Sequence, residues 1–477
     1  MPSHRLFIGG EWVTGSECRA VRSPSDLDDL VGEFDCGNAD HVDRAVRAAA
    51  DALPVWSRST PQQRFDVLDA IGTEILARKG ELGKLLAREE GKVLAEAVNE
   101  VARAGYIFKF FAGEALRMGG IAIPSVRPGI EVQTSREAAG IVGLVTPWNF
   151  PIAIPAWKTA PALACGNAVV LKPSELTPGC AWALAEIISR SGLPPGAFNL
   201  VNGGGEAGAA LVAHPLVNAI SFTGSSDIGR RIAMRCAADG KRCQLEMGGK
   251  NPLLVMDDAD LGVAVECAAN GAFFSTGQRC TASSRIIVTP GIHARFIEAL
   301  AERTRTLRVG HALDPGTQIG PVVDERQLEK NKRYAALAEE DGGRVLATGR
   351  LPDKPVRGYY FAPLLVANDE PGARLNQDEI FGPIATVLRA SGFDHALALA
   401  NDIPFGLSAG ICTTSLALAA RFRREVQAGM VMVNAPTAGV DYHVPFGGIK
   451  ASSMGPREQG SMALEFYTRV KTHYVAA

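Results

Sequence analysis

The sequence carries no excess of either charge: 49 Lys and Arg stand against 51 Asp and Glu, a formal charge of −2 over 477 residues. This argues against binding a nucleic acid by bulk electrostatics, which requires a basic surplus to release counterions. No apolar run approaches the ~18 to 20 residues of a membrane helix, and the N-terminal region offers only Leu6-Phe7-Ile8 where a secretory signal needs a longer apolar core. There is no Cys-x-x-Cys. The nine cysteines are scattered and odd in number, which suggests neither a disulfide framework nor a zinc knuckle and makes a reducing cytosol the natural compartment. The eight histidines are isolated, without a His-Glu-x-x-His or an i, i+4 pair, so no metal site is expected. Charge blocks, low-complexity tracts and repeats of 20 to 50 residues are also missing. The expectation is a cytoplasmic protein with no nucleic-acid, membrane or metal partner.

What the chain does have is size and apolar content, with 47% hydrophobic residues and 51 glycines. A chain of this mass should bury roughly three quarters of its unfolded surface, too much for a single core, so two or more domains follow. Residues Asp40–Ala52 and Pro61–Lys79 read as helices, the second opened by Thr60 as N-cap and Pro61 in the first turn. Another helix is expected from Glu96 to Leu116.

From Ala139 the rhythm changes. Ile141–Val145, Ala168–Leu171, Phe198–Val201 and Ala219–Phe222 are short apolar runs separated by helix-patterned segments, the signature of a parallel sheet with helices on both faces. The pattern restarts after residue 246: Asn251–Met256, Ser284–Val288 and Ala385–Leu388 read as strands, while Asp260–Phe274, His293–Leu307 and Phe393–Asn401 read as helices. Arg127–Arg136 and Leu464–Val475 alternate in polarity as exposed antiparallel strands do, and such strands often serve contacts between subunits.

Two glycine-rich turns follow strands. Gly203–Gly208 satisfies G-x-G-x-x-G, and Phe222-Thr-Gly-Ser225 passes directly into a helix; either can place a pyrophosphate on a helix N-terminus. Cys280 sits in a loop of small residues, with Arg279 beside it to favour the nucleophilic thiolate. Glu246 ends a strand just before two glycines, where a carboxylate can act as a general base. Asn149, in Pro147-Trp-Asn-Phe-Pro151, offers an amide to a developing oxyanion. Each of these residues also has a plain structural reading as loop, cap or turn former.

In combination, Pro147–Pro151, Lys172-Pro-Ser-Glu175, Phe222–Ser225, Glu246-Met-Gly-Gly-Lys250, Gly277-Gln-Arg-Cys280, Glu379-Ile-Phe-Gly-Pro383, Asn434 and Pro445-Phe-Gly-Gly448 resemble the aldehyde dehydrogenase superfamily, in order and over nearly the whole chain. The resemblance implies an α/β protein with two doubly wound parallel-sheet domains and a small antiparallel oligomerisation extension. A Rossmann-like NAD(P)-binding domain is expected over residues 1–117 and 138–246, a catalytic domain over 247–450, and oligomerisation strands over 118–137 and 451–477. It further implies a homo-oligomer, dimer or tetramer, and the oxidation of a small-molecule aldehyde to the acid through a Cys280 thiohemiacetal and thioester.

The same resemblance distributes roles. Cys280 is the implied nucleophile, with Asn149 and the Cys280 N–H as oxyanion donors, Glu246 as the water-activating base, and Lys158 with Glu458 as an outward proton relay. Trp148, Lys172, Ser174, Glu175, Gly205, Phe222, Gly224, Ser225, Ile228, Met247, Glu379 and Phe381 are the implied cofactor contacts. Glu175 on the adenosine ribose would favour NAD, with NADP as the other candidate. Met247 departs from the usual Leu, a volume-conserving change.

Arg103, Phe150, Ile154, Trp157, Arg279, Thr281 and Phe446 are the implied substrate contacts, and the two arginines suit a carboxylate-bearing substrate. Segments 273–280, 436–446 and 450–460 look most like the 2-oxoglutarate semialdehyde (2,5-dioxopentanoate) dehydrogenase branch. The competing readings are a succinic semialdehyde or other aliphatic aldehyde dehydrogenase, a CoA-acylating relative, against which the presence of Glu246 speaks, and a non-catalytic binding protein.

Overall fold

The computed structural model describes residues 3–352 and 357–476. Its first two helices start at side-chain caps. Asn38 accepts from the His41 N–H ahead of helix Ala39–Trp56, and Thr60 accepts from the Gln63 N–H ahead of helix Pro61–Ala77, each closing a capping box.

Two large sheets organise the chain. The first has eight strands, in the order Glu11–Val13, Leu6–Ile8, Phe198–Leu200, Ala168–Lys172, Ile141–Val145, Ala219–Thr223, Arg242–Glu246 and Ser453–Met454. Its five central strands are parallel, and their chain order reverses between Ile141–Val145 and Ala219–Thr223. That reversal opens a crevice at the carboxyl ends of these two strands, the place where such sheets take their ligands. The second sheet has seven strands, in the order Arg344–Thr348, Leu364–Ala367, Ile384–Arg389, Arg285–Val288, Pro252–Val255, Ser408–Cys412 and Met430–Val433; only Arg344–Thr348 runs antiparallel. Mixed α/β architecture with two doubly wound sheets is therefore the fold, as expected from the alternation of strand and helix patterns.

The strands of both sheets are mostly buried on both faces, which is why they read as unbroken apolar runs rather than alternating ones. Helix Ala153–Ala164 is buried all round, packed between the first sheet and helices Pro61–Ala77 and Leu94–Arg117.

Strand Ile130–Ala138 pairs antiparallel with Thr468–Ala476 and with Ala122–Pro124, forming a separate three-stranded sheet. The expected strand Leu464–Val475 is corrected at its start: Leu464–Tyr467 forms a helical turn that buries Phe466 and Tyr467 in the first core, and extension begins at Thr468. Apolar contact outweighs strand propensity there. Ser453–Met454 belongs to the edge of the first sheet and not to the three-stranded one. Among the described residues no helix is long and apolar enough to cross a membrane, and no group of His, Cys, Asp or Glu is arranged to hold a metal ion.

Candidate active site

Chain that follows strands of the first sheet meets loops that lead into the second: Asn149 touches Gln278, and Gly249 touches Glu379. Glu246 closes the strand Arg242–Glu246, the Cys280 loop leads into Arg285–Val288, and Glu379 leads into Ile384–Arg389. Asn149 follows the strand Ile141–Val145.

The Cys280 loop is held from several sides. Ser275, Thr276 and Gly277 all have positive φ, and a Cβ on Gly277 would lie 2.3 Å from the Gly382 carbonyl oxygen, so only glycine fits there. Ser275 Oγ and Arg279 Nη2 donate to the two oxygens of Glu96, at 2.9 and 2.8 Å. The Gln278 carbonyl accepts from Asn149 Nδ2 at 2.9 Å, and the Cys280 carbonyl accepts from Asn251 Nδ2 at 2.8 Å. Thr437 Oγ1 donates to the Thr281 carbonyl at 2.7 Å.

The thiol of Cys280 lies against its own backbone N–H and is pushed up to about 12 by burial and by the negative charge of Glu379 and Glu246. This corrects the expectation that Arg279 favours the thiolate. Arg279 turns to Glu96 and to Asn270, so its charge is spent on holding the loop.

Glu246 is buried, and Ser453 Oγ donates to its Oε2 at 2.5 Å. Burial, then the nearby Glu458 carboxylate, raises its pKa well above the ordinary carboxylate range. Lys158 donates to Glu458 and, at 2.7 Å, to Ser221 Oγ; Trp157 Nε1 donates to the other oxygen of Glu458 at 2.7 Å. The pair thus forms a closed, buried network beneath Glu246.

Behind Asn149 stands Lys92, in the short link between helices Lys79–Glu90 and Leu94–Arg117. Its Nζ donates to the Asn149 carbonyl at 2.7 Å and to Glu100 at 2.6 Å, and lies 4.0 Å from the Phe150 ring centre. Glu100 in turn accepts the backbone N–H groups of Ile152 and Ala153, which fixes the chain just after Asn149 to helix Leu94–Arg117.

The cleft at the strand-order reversal suits a dinucleotide. Ser225 is the N-cap of helix Ser226–Ala238 but makes no side-chain cap bond, so the first N–H groups are left for an anion. A cavity of about 270 Å³ there is lined by Ser225, Ser226, Asp227, Arg230 and Glu379. Glu379 Oε1 accepts from the Gly249 N–H at 2.9 Å, and a Cβ on Gly248 would come within 2.3 Å of its other oxygen.

Lys172 donates to the Gly203 carbonyl at 2.9 Å and lies 3.9 Å from Glu175. Trp148 meets Phe381 edge to face at 5.4 Å. Met247 and Phe222 pack under Gly229 of the same helix, next to Gly224, while Ile228 stays exposed. Ser174 accepts from the Leu176 N–H, and Gly205 opens the helix Gly205–Ala213.

On the other side of Cys280, Arg103 stacks over Trp157 at 5.4 Å, and Trp157 meets Phe446 at 5.5 Å. Ile154, Trp157, Thr281 and Phe446 are buried, and Phe150 is partly so. Arg103 Nη2 donates to Gln459 Oε1 at 3.0 Å, its Nε has no partner, and among the described residues it forms no ion pair. Tyr442 stacks on Tyr106 and meets Phe110 edge-on, which seats segment 436–446 against the helix carrying Arg103.

Lys92, Asn251, Ser453 and Gln459 escaped the sequence reading, because each acts through a partner far along the chain. The local crowding of charge at Glu89-Glu90-Gly91-Lys92 was the one available signal.

The sequence pattern of the aldehyde dehydrogenase family matches residues 12–473. The chain is 41% identical to an alpha-ketoglutaric semialdehyde dehydrogenase of Bacillus subtilis, with 98% of this chain and 97% of that protein covered. It is 38% identical to a 2,5-dioxopentanoate dehydrogenase of Saccharolobus solfataricus, with 98% of each covered. Among solved structures, betaine aldehyde dehydrogenase of Staphylococcus aureus in complex with NAD+ superimposes with a TM-score of 0.96 at 33% identity, covering 99% of this chain and 95% of that one.

Proposed function

This chain belongs to the aldehyde dehydrogenase family, and we propose that it oxidises an ω-carboxy semialdehyde such as 2-oxoglutarate semialdehyde to the acid, with NAD as cofactor. The observation that carries the substrate reading is Arg103: a half-buried guanidinium near Cys280 that forms no ion pair among the described residues and whose Nε is left without a partner. A substrate carboxylate supplies the missing partner. The same charge repels a cationic aldehyde such as betaine aldehyde. Relatives that are 41% and 38% identical and bear the semialdehyde names support the reading.

The cofactor reading rests on the free helix N-terminus at Ser225, the cavity beside Glu379 and the Lys172–Glu175 pair. NAD supplies a hydride acceptor when bound. Glu175 is suited to accept from ribose hydroxyls and to repel a 2′-phosphate, which favours NAD over NADP.

Cys280 sulfur attacks the aldehyde carbon once its proton has left. Asn149 Nδ2 and the Cys280 N–H take the oxyanion, and the Lys92 strut keeps Asn149 in place. Departure of hydride leaves a Cys280 thioester, and Glu246 takes the proton of the water that hydrolyses it. Lys158 and Glu458, whose charges act on Glu246, are the residues proposed to pass that proton on. Nine free cysteines fit a reducing cytoplasm, and the exposed three-stranded sheet fits a homo-oligomer.

Steady-state kinetics with 2-oxoglutarate semialdehyde, succinic semialdehyde and a neutral aliphatic aldehyde, each with NAD and NADP, test the proposal. Arg103→Ala should cut kcat/KM roughly ten- to hundredfold for the carboxylated aldehydes, the range for a lost charge-assisted bond, and spare the neutral one. Equal losses for all three would sink the carboxylate assignment.

A further inference from the structure

Ser453 lies in segment 450–460, whose likeness to the semialdehyde dehydrogenase branch assigns it no role, yet its hydroxyl bridges the general base and the backbone. The Gly448 N–H donates to Ser453 Oγ at 2.6 Å, so the single hydroxyl proton is left for Glu246 Oε2 at 2.5 Å. Antiparallel pairing sets Glu246 directly opposite Ser453. The strand around them is anchored independently of that hydroxyl: the Ser452 carbonyl accepts the Met247 N–H at 2.7 Å, and Ser452 Oγ accepts the Gly406 N–H at 3.0 Å. Gly448 is held from its other side by Arg457, which donates to its carbonyl.

We propose that Ser453 is a positioning residue for the hydrolytic half of the reaction, fixing one oxygen of Glu246 and leaving the other to accept the proton of the attacking water. The proposal rests on the aldehyde dehydrogenase reading and deepens it. In the step it serves, the water oxygen bonds to the thioester carbon and one water proton passes to the free oxygen of Glu246. The carbon–sulfur bond breaks, with its electron pair returning to Cys280, and the carboxylic acid leaves.

The surroundings of Glu246 show why such an anchor matters. Burial and the Glu458 carboxylate favour the protonated, inactive form, while Lys158 on helix Ala153–Ala164, Arg457 in the loop after Ser453–Met454, and the Ser453 hydroxyl favour the carboxylate. Cys280, across the site, feels Glu246 as a negative neighbour. A hydrogen bond to the charged form lowers a pKa, so its removal pushes Glu246 further towards the protonated state at neutral pH.

The test compares wild type, Ser453→Ala and Ser453→Thr with 2-oxoglutarate semialdehyde and NAD, following NADH by stopped flow and at steady state from pH 6 to 9. Ser453→Ala should keep the rate of the first NADH turnover within about twofold and lower steady-state kcat at pH 7 roughly tenfold, the effect of losing one bond to a charged group. A burst of about one NADH per site should then appear as thioester accumulates. The acidic limb of kcat should move to higher pH, and Ser453→Thr should restore it. An unchanged pH profile overturns the proposal, and so does an equal fall of first turnover and steady state accompanied by a lower thermal midpoint. A wild-type enzyme that forms no NADH from this aldehyde instead overturns the substrate reading beneath it.

Discussion

Lys92 donates to the backbone carbonyl of Asn149 at 2.7 Å, from a side chain almost sealed from solvent, and the same ammonium pairs with Glu100. The residue assigned to the oxyanion is thus fixed through its main chain by a charge 57 positions earlier.

Lys92→Met leaves Glu100 buried without its counter-ion. Loss of one partner of a buried pair costs about 3 to 5 kcal/mol, so a clear fall in thermal midpoint is expected. Because Asn149 loses its support, kcat should fall more than KM rises. An unchanged midpoint in calorimetry would show that the pair contributes little.

Cys280 is held at about 12 in the free protein, so its reactivity towards iodoacetamide should rise nearly tenfold per pH unit from 7 to 10 without a plateau. Mass spectrometry of the Cys280 peptide measures this in a background of eight other cysteines. Glu379→Gln removes the largest negative neighbour, and alkylation at pH 8 should quicken. A plateau below pH 9 in the wild type would mean that the thiol is activated before any ligand arrives.

Arg279 and Arg103 should part company in kinetics. Arg279 is tied to Glu96 at 2.8 Å, so Arg279→Ala loosens the nucleophile loop and should lower kcat/KM roughly ten- to hundredfold for carboxylated and neutral aldehydes alike. A loss confined to carboxylated aldehydes would reinstate Arg279 as a substrate contact.

Glu90 is fully buried with neither carboxylate oxygen hydrogen-bonded, and burial pushes its pKa up to about 8. The unfolded chain releases this proton near pH ~4.3. The folded protein keeps it, so its contribution to stability is fully present below the unfolded value and is lost as pH rises through about 8. Glu90→Gln should therefore flatten the decline in thermal midpoint between pH 5 and 9. Parallel declines in wild type and variant would assign the loss to other groups, Glu89 first, whose pKa burial raises to about 7.

Much of this protein is local and was legible as such. The apolar runs at Ile141–Val145 and Ala219–Thr223, and the small-residue loop around Cys280, depend on near neighbours in the chain; the structure has strands at those runs and a turn where the glycines are. Leu464–Tyr467 misled because a polar-apolar alternation over four residues cannot show that Phe466 and Tyr467 have a core to fill.

The sequence by itself determined the architecture and the chemical types at the site: a thiol, an amide, a carboxylate and a glycine turn, each at the end of a predicted element. Only the tertiary structure decided their electrical states. Arg279 adjoins Cys280 in the chain, yet its partner Glu96 lies 183 residues away, and Glu246 meets Ser453 across 207. Which charges neutralise one another, and which stay without an ion pair as Arg103 does among the described residues, depends on distances of a few ångströms between segments remote in the chain. Coulomb and desolvation energies follow those distances, and residue order alone does not contain them.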